Sequence, residues 1–208
     1  MALVTSYATL QAHIADTLNR GDLTSVIPNF IQQFEGQAKR DARFRKLSDR
    51  GLFSISADGA SLPSDFYSLE SWYHDGATYF GPITIVTPDQ IGNLKGAYGD
   101  TGVPQFAAIV DGKARFAPEP DDTYSTKMIY WKTITDLSAS NTENWLLTAA
   151  PDIYLYGSLV EAYIYLKDSQ KAADAGSLLE ARVEALHNAT IDAQFGGSIM
   201  IPYTPIGG

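Results

Sequence analysis

Apolar residues at three- and four-residue spacing predict two helices within the first fifty residues. The first apolar stripe consists of Tyr7, Leu10, Ile14 and Leu18. Polar residues 19–22 end this helix, and Thr24 or Ser25 can cap a second one, with Pro28 in its first turn. The apolar face of the second helix consists of Ile27, Ile31, Phe34, Ala38 and Ala42.

Residues 51–137 show a different pattern, in which short aromatic and β-branched stretches alternate with turn signals. The clearest hairpin covers residues 106–116, because Asp111-Gly112 at its centre favours a type I′ turn. Residues 74–77 indicate a second, weaker hairpin turn. We therefore expect a small antiparallel β unit over residues 51–137.

Helical periodicity returns after residue 144. Residues 153–167 are apolar on nearly every side, which predicts a helix buried on most faces. A last helix is predicted over residues 170–194 and ends at Gly196-Gly197. The final residues combine isoleucines with prolines and glycines, a composition that excludes a helix and favours an extended arm.

These elements predict an α+β fold, an antiparallel helical bundle with an inserted small antiparallel β unit and an extended C-terminal arm. We expect the bundle over residues 1–50 and 144–195, because short connections favour antiparallel neighbours. The β insertion is expected over residues 51–137, and the extended tail over residues 196–208.

Composition and charge exclude several classes of protein. The chain has 208 residues, of which 45% are hydrophobic and 19% charged, so general disorder is excluded. Its net charge of −9 argues against a surface that binds nucleic acid or anionic membrane throughout. The absence of cysteine excludes disulfides and thiolate zinc sites. Residues 1–6 do not resemble a signal peptide, and we expect a soluble protein made in the cytoplasm.

Motifs for catalysis, metals and cofactors are weak. His13, His74 and His187 lie in three separate segments, and no phosphate-binding or dinucleotide-binding glycine motif occurs. Residues 99–102 contain the Asp-Thr-Gly triplet of aspartic proteases, but no apolar strand precedes it, which favours an ordinary glycine-rich loop. The carboxylates of Glu119, Asp121 and Asp122 are typical of a solvated turn. We expect no catalytic residue, no cofactor and no metal.

A basic segment and the C-terminal tail are the two candidate interaction sites. Six of the 15 basic residues fall within residues 39–50. They predict either a contact for a negatively charged partner or complementation of a helix dipole, with Asp41 and Asp49 as local ion-pair partners. The tail is apolar without an evident core of its own, which favours docking on a partner surface over packing on its own bundle or disorder. The contact candidates in the basic segment are Arg40, Arg43, Arg45 and Lys46.

One segment of the chain resembles the head-to-tail connector or adaptor proteins of tailed bacteriophages, including relatives of tail tubular protein A. The resemblance lies in residues 144–162, which read NWLLTAAPDIYLYGSLVEA, and in YLKD at 165–168. The order of helices, β insertion, helices and extended tail is similar to that family over most of the chain. The residues themselves indicate a bundle core. Tyrosine hydroxyls would be hydrogen-bonded inside it, Gly157 would permit a close helix crossing, and a buried Glu161 would need an Arg or Lys partner.

The resemblance implies a structural virion protein in the neck of the particle rather than an enzyme. Such adaptors form a dodecameric ring between the portal protein and a tail nozzle or tail tube protein, and DNA passes through the lumen without specific binding. The basic segment would then be a subunit or portal contact, and no membrane partner is implied. The portal-docking residues that the resemblance implies in the tail are Ile199, Ile201, Pro202, Tyr203 and Pro205.

Two other functions remain open at this point. A phage-encoded binding or scaffolding module would keep the tail but would not assemble into a ring. A phage-encoded hydrolase would need converging carboxylates, for which Asp100 with Asp121 or Asp122 are the candidates.

Overall fold

The computed structural model describes residues 4–57, 59–76 and 80–195, and of residues 49–53, 80 and 193–195 it describes the backbone alone. The chain divides into two compact units. Within the described residues, the helical unit comprises residues 4–44 and 134–195, and the sheet unit comprises the described part of residues 45–133.

Six α-helices and ten strands occur in the described residues. The helices are α1 (Tyr7–Leu18), α2 (Ile27–Ala38), α3 (Pro88–Tyr98), α4 (Trp145–Ala149), α5 (Pro151–Tyr165) and α6 (Ser169–Phe195). The strands are β1 (Lys46–Ile55), β2 (Ala60–Ser61), β3 (Phe66–Asp75), β4 (Phe80–Pro82), β5 (Thr84–Ile85), β6 (Thr101–Gly102), β7 (Phe106–Val110), β8 (Lys113–Ala117), β9 (Glu119–Pro120) and β10 (Tyr124–Lys132).

Local capping explains where the first two helices begin and end. Ser6 and Thr9 form a capping box at the start of α1, and Asn19 in the left-handed conformation ends this helix. The prediction that Thr24 or Ser25 caps α2 is wrong. Val26 occupies that position without a side-chain cap, and the Thr24 hydroxyl donates to the Gly21 carbonyl in a preceding 3₁₀ turn instead.

The helical unit has one hydrophobic core, formed by the apolar faces of α1, α2, α4, α5 and α6. Leu10, Ile31 and Ile153 are almost completely buried there. Helix α2 ends at Ala38, and Ala42 belongs to a short 3₁₀ turn, Ala42–Phe44. The prediction that Ala42 belongs to the apolar face is therefore wrong, because Ala42 is exposed and Phe44 packs into this core instead.

The sheet unit contains two four-stranded sheets and one two-stranded sheet. Their strand orders are β1-β10-β3-β4, β2-β8-β7-β5 and β6-β9. The predicted hairpin over residues 106–116 is confirmed, since β7 and β8 pair antiparallel around Asp111 and Gly112, both of which have positive φ. Trp72, Phe116 and Met128 lie at the centre of a hydrophobic core within this unit.

The predicted fold, an antiparallel helical bundle with a small antiparallel β insertion, is wrong. The chain has a mixed α+β fold, about 47% helical and 26% strand, and is not a clear helical bundle. The strands begin at Lys46, and β5 with β7 and β6 with β9 are parallel pairs. The physical reason is that residues 45–133 bury enough apolar surface to form a core of their own.

Candidate interaction surfaces

A buried polar network joins α2, α5 and the segment that precedes α4. Tyr154 is completely buried, and its hydroxyl donates to Oε1 of Glu35 at 2.9 Å. The same Glu35 oxygen accepts the backbone N–H of Leu137 at 2.9 Å. Asn144 donates from Nδ2 to the Tyr154 hydroxyl at 2.5 Å and to the Thr135 carbonyl at 2.7 Å. The network therefore attaches residues 135–144 to both helices.

Burial controls the protonation of this network. It raises the pKa of Glu35, although the hydrogen bonds from Leu137 and Tyr154 lower that pKa in part. Burial and the neighbouring Glu35 carboxylate also raise the pKa of the Tyr154 hydroxyl, so Tyr154 is neutral and acts as a donor.

The segment 144–168 is mainly structural. A Cβ atom at Gly157 would lie 2.2 Å from Cδ2 of Phe34, so the close helix crossing predicted from this glycine is confirmed. The expectation that Glu161 pairs with Arg or Lys is wrong. Its Oε1 accepts from Nε2 of Gln37 at 2.7 Å, which satisfies the carboxylate without a second charge.

In the helical unit, two cations of the basic segment are held by ion pairs. Nζ of Lys39 lies 2.5 Å from Oδ1 of Asp136. Arg43 lies between two carboxylates, with Nη2 at 2.7 Å from Oδ2 of Asp41 and Nη1 in contact with Glu180 on α6. The guanidinium of Arg43 lowers the pKa of the Asp41 carboxyl, and both carboxylates raise the pKa of Arg43.

Helix α2 ends before most of the basic segment. Arg40 is exposed in the turn after α2, where the dipole interpretation would require it to lie within the last helical turn. That interpretation therefore suits Lys39, the C-cap residue of α2, but not Lys46, which lies on β1. Asp41 does act as a local partner, as predicted, while the side chain of Asp49 lies outside the described part of the chain.

In the sheet unit, the remaining two candidates lie at the start of β1. The guanidinium carbon of Arg45 is 3.4 Å from the centroid of the Tyr67 ring, a cation–π contact. Lys46 is exposed and lies directly opposite Lys132 in the β1–β10 register. Sequence reasoning missed Lys132, because its place beside the basic segment depends on pairing between distant strands.

The carboxylates considered for hydrolysis are engaged or solvated. Asp100 is exposed, and its backbone carbonyl accepts the backbone N–H of Glu119 at 2.9 Å, which brings these two loops together. The Glu119 carboxylate is paired with Lys95 at 2.8 Å, and Asp121 and Asp122 are exposed in the turn before β10. Helix α3 precedes the Asp-Thr-Gly triplet where an aspartic protease has an apolar strand.

The described residues contain no cluster of three or more His, Asp or Glu side chains that could hold a metal ion. Within the same part of the chain, no helix has the length and apolar character needed to span a bilayer. The five portal-docking candidates of the tail, at positions 199–205, lie outside the described residues.

A family model for the SU10 adaptor protein matches residues 5–200. No curated protein matches the chain significantly. The matched range includes both units, so the likeness is not confined to one motif. The chain therefore belongs to the SU10 adaptor protein family of bacteriophage head–tail adaptors, which are structural virion components rather than enzymes.

Proposed function

We propose that this chain forms a dodecameric ring between the portal protein and the tail nozzle or tail tube in the neck of the virion. The ring would extend the DNA channel and carry no catalytic activity. The observation that carries this proposal is the family match over residues 5–200, which includes every described helix and strand.

The C-terminal tail is the proposed portal-docking arm. Its apolar residues alternate with prolines and glycines, a composition that suits an extended segment in a groove of a partner. Each arm is short and would bind weakly alone, but a ring presents many arms at once, which multiplies weak contacts. The docking residues are Ile199, Ile201, Pro202, Tyr203 and Pro205.

The charge of the chain supports passage of DNA without specific binding. A net charge of −9 avoids the strongly basic lining that would hold phosphates. The basic segment is then a contact with protein, either a neighbouring subunit or the portal. Arg40 and Lys46 suit this role, because both are exposed and neither takes part in an ion pair among the described residues. Arg43 and Arg45 are already engaged within their own units.

The proposal is tested by co-sedimentation of the purified chain with portal rings from the same genome, beside a variant that ends at Gly197. We expect about one bound copy per portal subunit, and loss of binding on truncation. Binding by the truncated chain would move the docking site to the described residues. Absence of binding by both would overturn the portal-bound ring and favour a binding or scaffolding module without a ring.

A further inference from the structure

The four-stranded sheet that contains β10 has charges of opposite sign at its two ends. Strand β10 has nine residues, which corresponds to a length of about 30 Å. Asp121 and Asp122 lie in the turn immediately before it, and Lys132 is its last residue. We call these the acidic end and the basic end of the sheet.

The basic end contains an unfavourable pair of like charges. Lys46 and Lys132 are direct cross-strand partners, an arrangement that destabilises an isolated sheet. Neither lysine has an ion-pair partner among the described residues, whereas Lys127 in the same strand is paired with Asp75 at 3.0 Å. Arg45 adds a third cation beside this pair. The nearby Asp65 carboxylate, which accepts from the Tyr130 hydroxyl at 3.0 Å, offsets only one of these three positive charges. The basic end thus retains net positive charge that the described side chains of its own unit do not neutralise.

The acidic end has carboxylates that no cation of the described residues neutralises. Asp121 and Asp122 are both exposed. The Asp121 carboxylate accepts from the Tyr124 hydroxyl, and the Asp122 carboxylate accepts the backbone N–H of Thr123 at 2.7 Å. Both bonds leave the negative charge in place.

We propose that the basic end of one copy binds the acidic end of a second copy, so that subunits associate head to tail. This inference rests on the proposed ring and names the contact that closes it. A ring of identical subunits needs two different complementary patches on each subunit, and these two ends lie on one compact unit. Copies that each carry a charge of −9 repel one another unless oriented contacts of opposite sign offset the repulsion. A neighbouring carboxylate pair placed between Lys46 and Lys132 would turn their repulsion into two attractions.

Charge reversal tests this contact. Lys46→Glu with Lys132→Glu makes both ends acidic, and Asp121→Lys with Asp122→Lys makes both ends basic. A control with the same change in net charge as the first variant is Lys113→Glu with Arg115→Glu, since both residues are exposed on β8, a strand of the other four-stranded sheet. Circular dichroism of each purified variant verifies folding. Bound copies per portal ring are then counted by mass photometry across a concentration series.

We expect each end-reversed variant alone to need an at least tenfold higher concentration for half-saturation of the portal, because attraction becomes repulsion at every subunit contact. An equimolar mixture of the two is expected to recover saturation. If the two variants alternate around the ring, every acidic end meets a basic end. Raising the salt concentration should reduce the difference between the reversed variants and the unaltered chain, because salt screens both attraction and repulsion. If the reversed variants saturate like the control, or if the mixture does not recover, the contact is overturned while the ring stands. If the unaltered chain itself does not bind, the ring function fails first.

Discussion

Gly157 of α5 lies against the ring of Phe34 on α2, where an added Cβ would be 2.2 Å from Cδ2 of that ring. Phe34 is itself held between Tyr154 and Phe44 by edge-to-face ring contacts, so its ring has little freedom to move away. This contact sets how closely the two helices approach in a close-packed core.

We expect Gly157→Ala to lower the free energy of unfolding by about 1–3 kcal/mol, because the steric overlap outweighs the gain in helix propensity. The matched control is Gly176→Ala on α6, where nothing lies within 4 Å of the added Cβ. That substitution should raise stability by up to about 1 kcal/mol. Urea unfolding of both variants measures the difference, and equal stability of the two would contradict the proposed contact.

The Tyr154 hydroxyl gives a second prediction. Removing it in Tyr154→Phe deprives Glu35 of a donor and leaves Asn144 without one of its acceptors, both in a buried site. We expect a loss of about 1–3 kcal/mol in the free energy of unfolding. Tyr156→Phe is the control, since Tyr156 is half-exposed and its hydroxyl has no hydrogen bond within the described residues. A loss of the same size in both variants would show that the hydrogen bonds of the Tyr154 hydroxyl do not contribute to the free energy of unfolding.

The raised pKa of Glu35 predicts that the stability of the protein depends on pH. Burial raises its pKa in the folded state above the ordinary glutamate value of about 4.3, so the folded protein binds the proton more tightly than the unfolded chain. The stability that Glu35 contributes is therefore fully present below about pH 4.3 and decreases as the pH rises through the folded-state pKa.

Glu35→Gln removes this titration while keeping an acceptor for Leu137 and Tyr154. We expect the free energy of unfolding of the variant, relative to the unaltered chain, to increase between pH 4 and pH 7. Thermal or urea unfolding at each pH measures this difference. Glu143→Gln, at an exposed position, controls for the change in net charge. A difference for Glu35→Gln that is constant with pH would contradict the raised pKa.

Sequence patterns correctly predicted the helices and turns that depend mainly on residues close together in the chain. The α1 stripe and the Asp111-Gly112 hairpin are examples, because helix periodicity and turn conformation depend on neighbouring residues. Helix α3 was missed although Thr87 and Gln90 form a capping box and Pro88 occupies its first turn. None of its residues is buried in the described structure, so it lacks the apolar stripe by which the other helices were found.

Features that depend on distant pairing could not be predicted from spacing. Glu35 bonds to Leu137 and Tyr154, more than a hundred positions away, and nothing near residue 35 indicates these partners. Lys132 joins the basic segment only through the β1–β10 register. The start of β1 at Lys46 could not be predicted either. Local propensity there is compatible with a continued helix, and only pairing with the distant β10 makes these residues a strand.

The ion pairs of Arg43 predict that this residue of the basic segment stabilises the fold rather than binding a partner. Its guanidinium connects Asp41 in the turn after α2 with Glu180 on α6, and all three side chains are partly exposed. We expect Arg43→Gln to lower the free energy of unfolding by at most about 1 kcal/mol, and the effect to shrink in high salt, because exposed ion pairs are screened. Arg40→Gln, which removes an exposed charge three residues earlier, is expected to change stability by less than about 0.5 kcal/mol. Urea unfolding in low and high salt compares the two variants. If Arg40→Gln destabilises the chain as much as Arg43→Gln, the ion pairs of Arg43 do not stabilise the contact between the turn and α6. Arg43 would then be a candidate for contact with a partner, like Arg40.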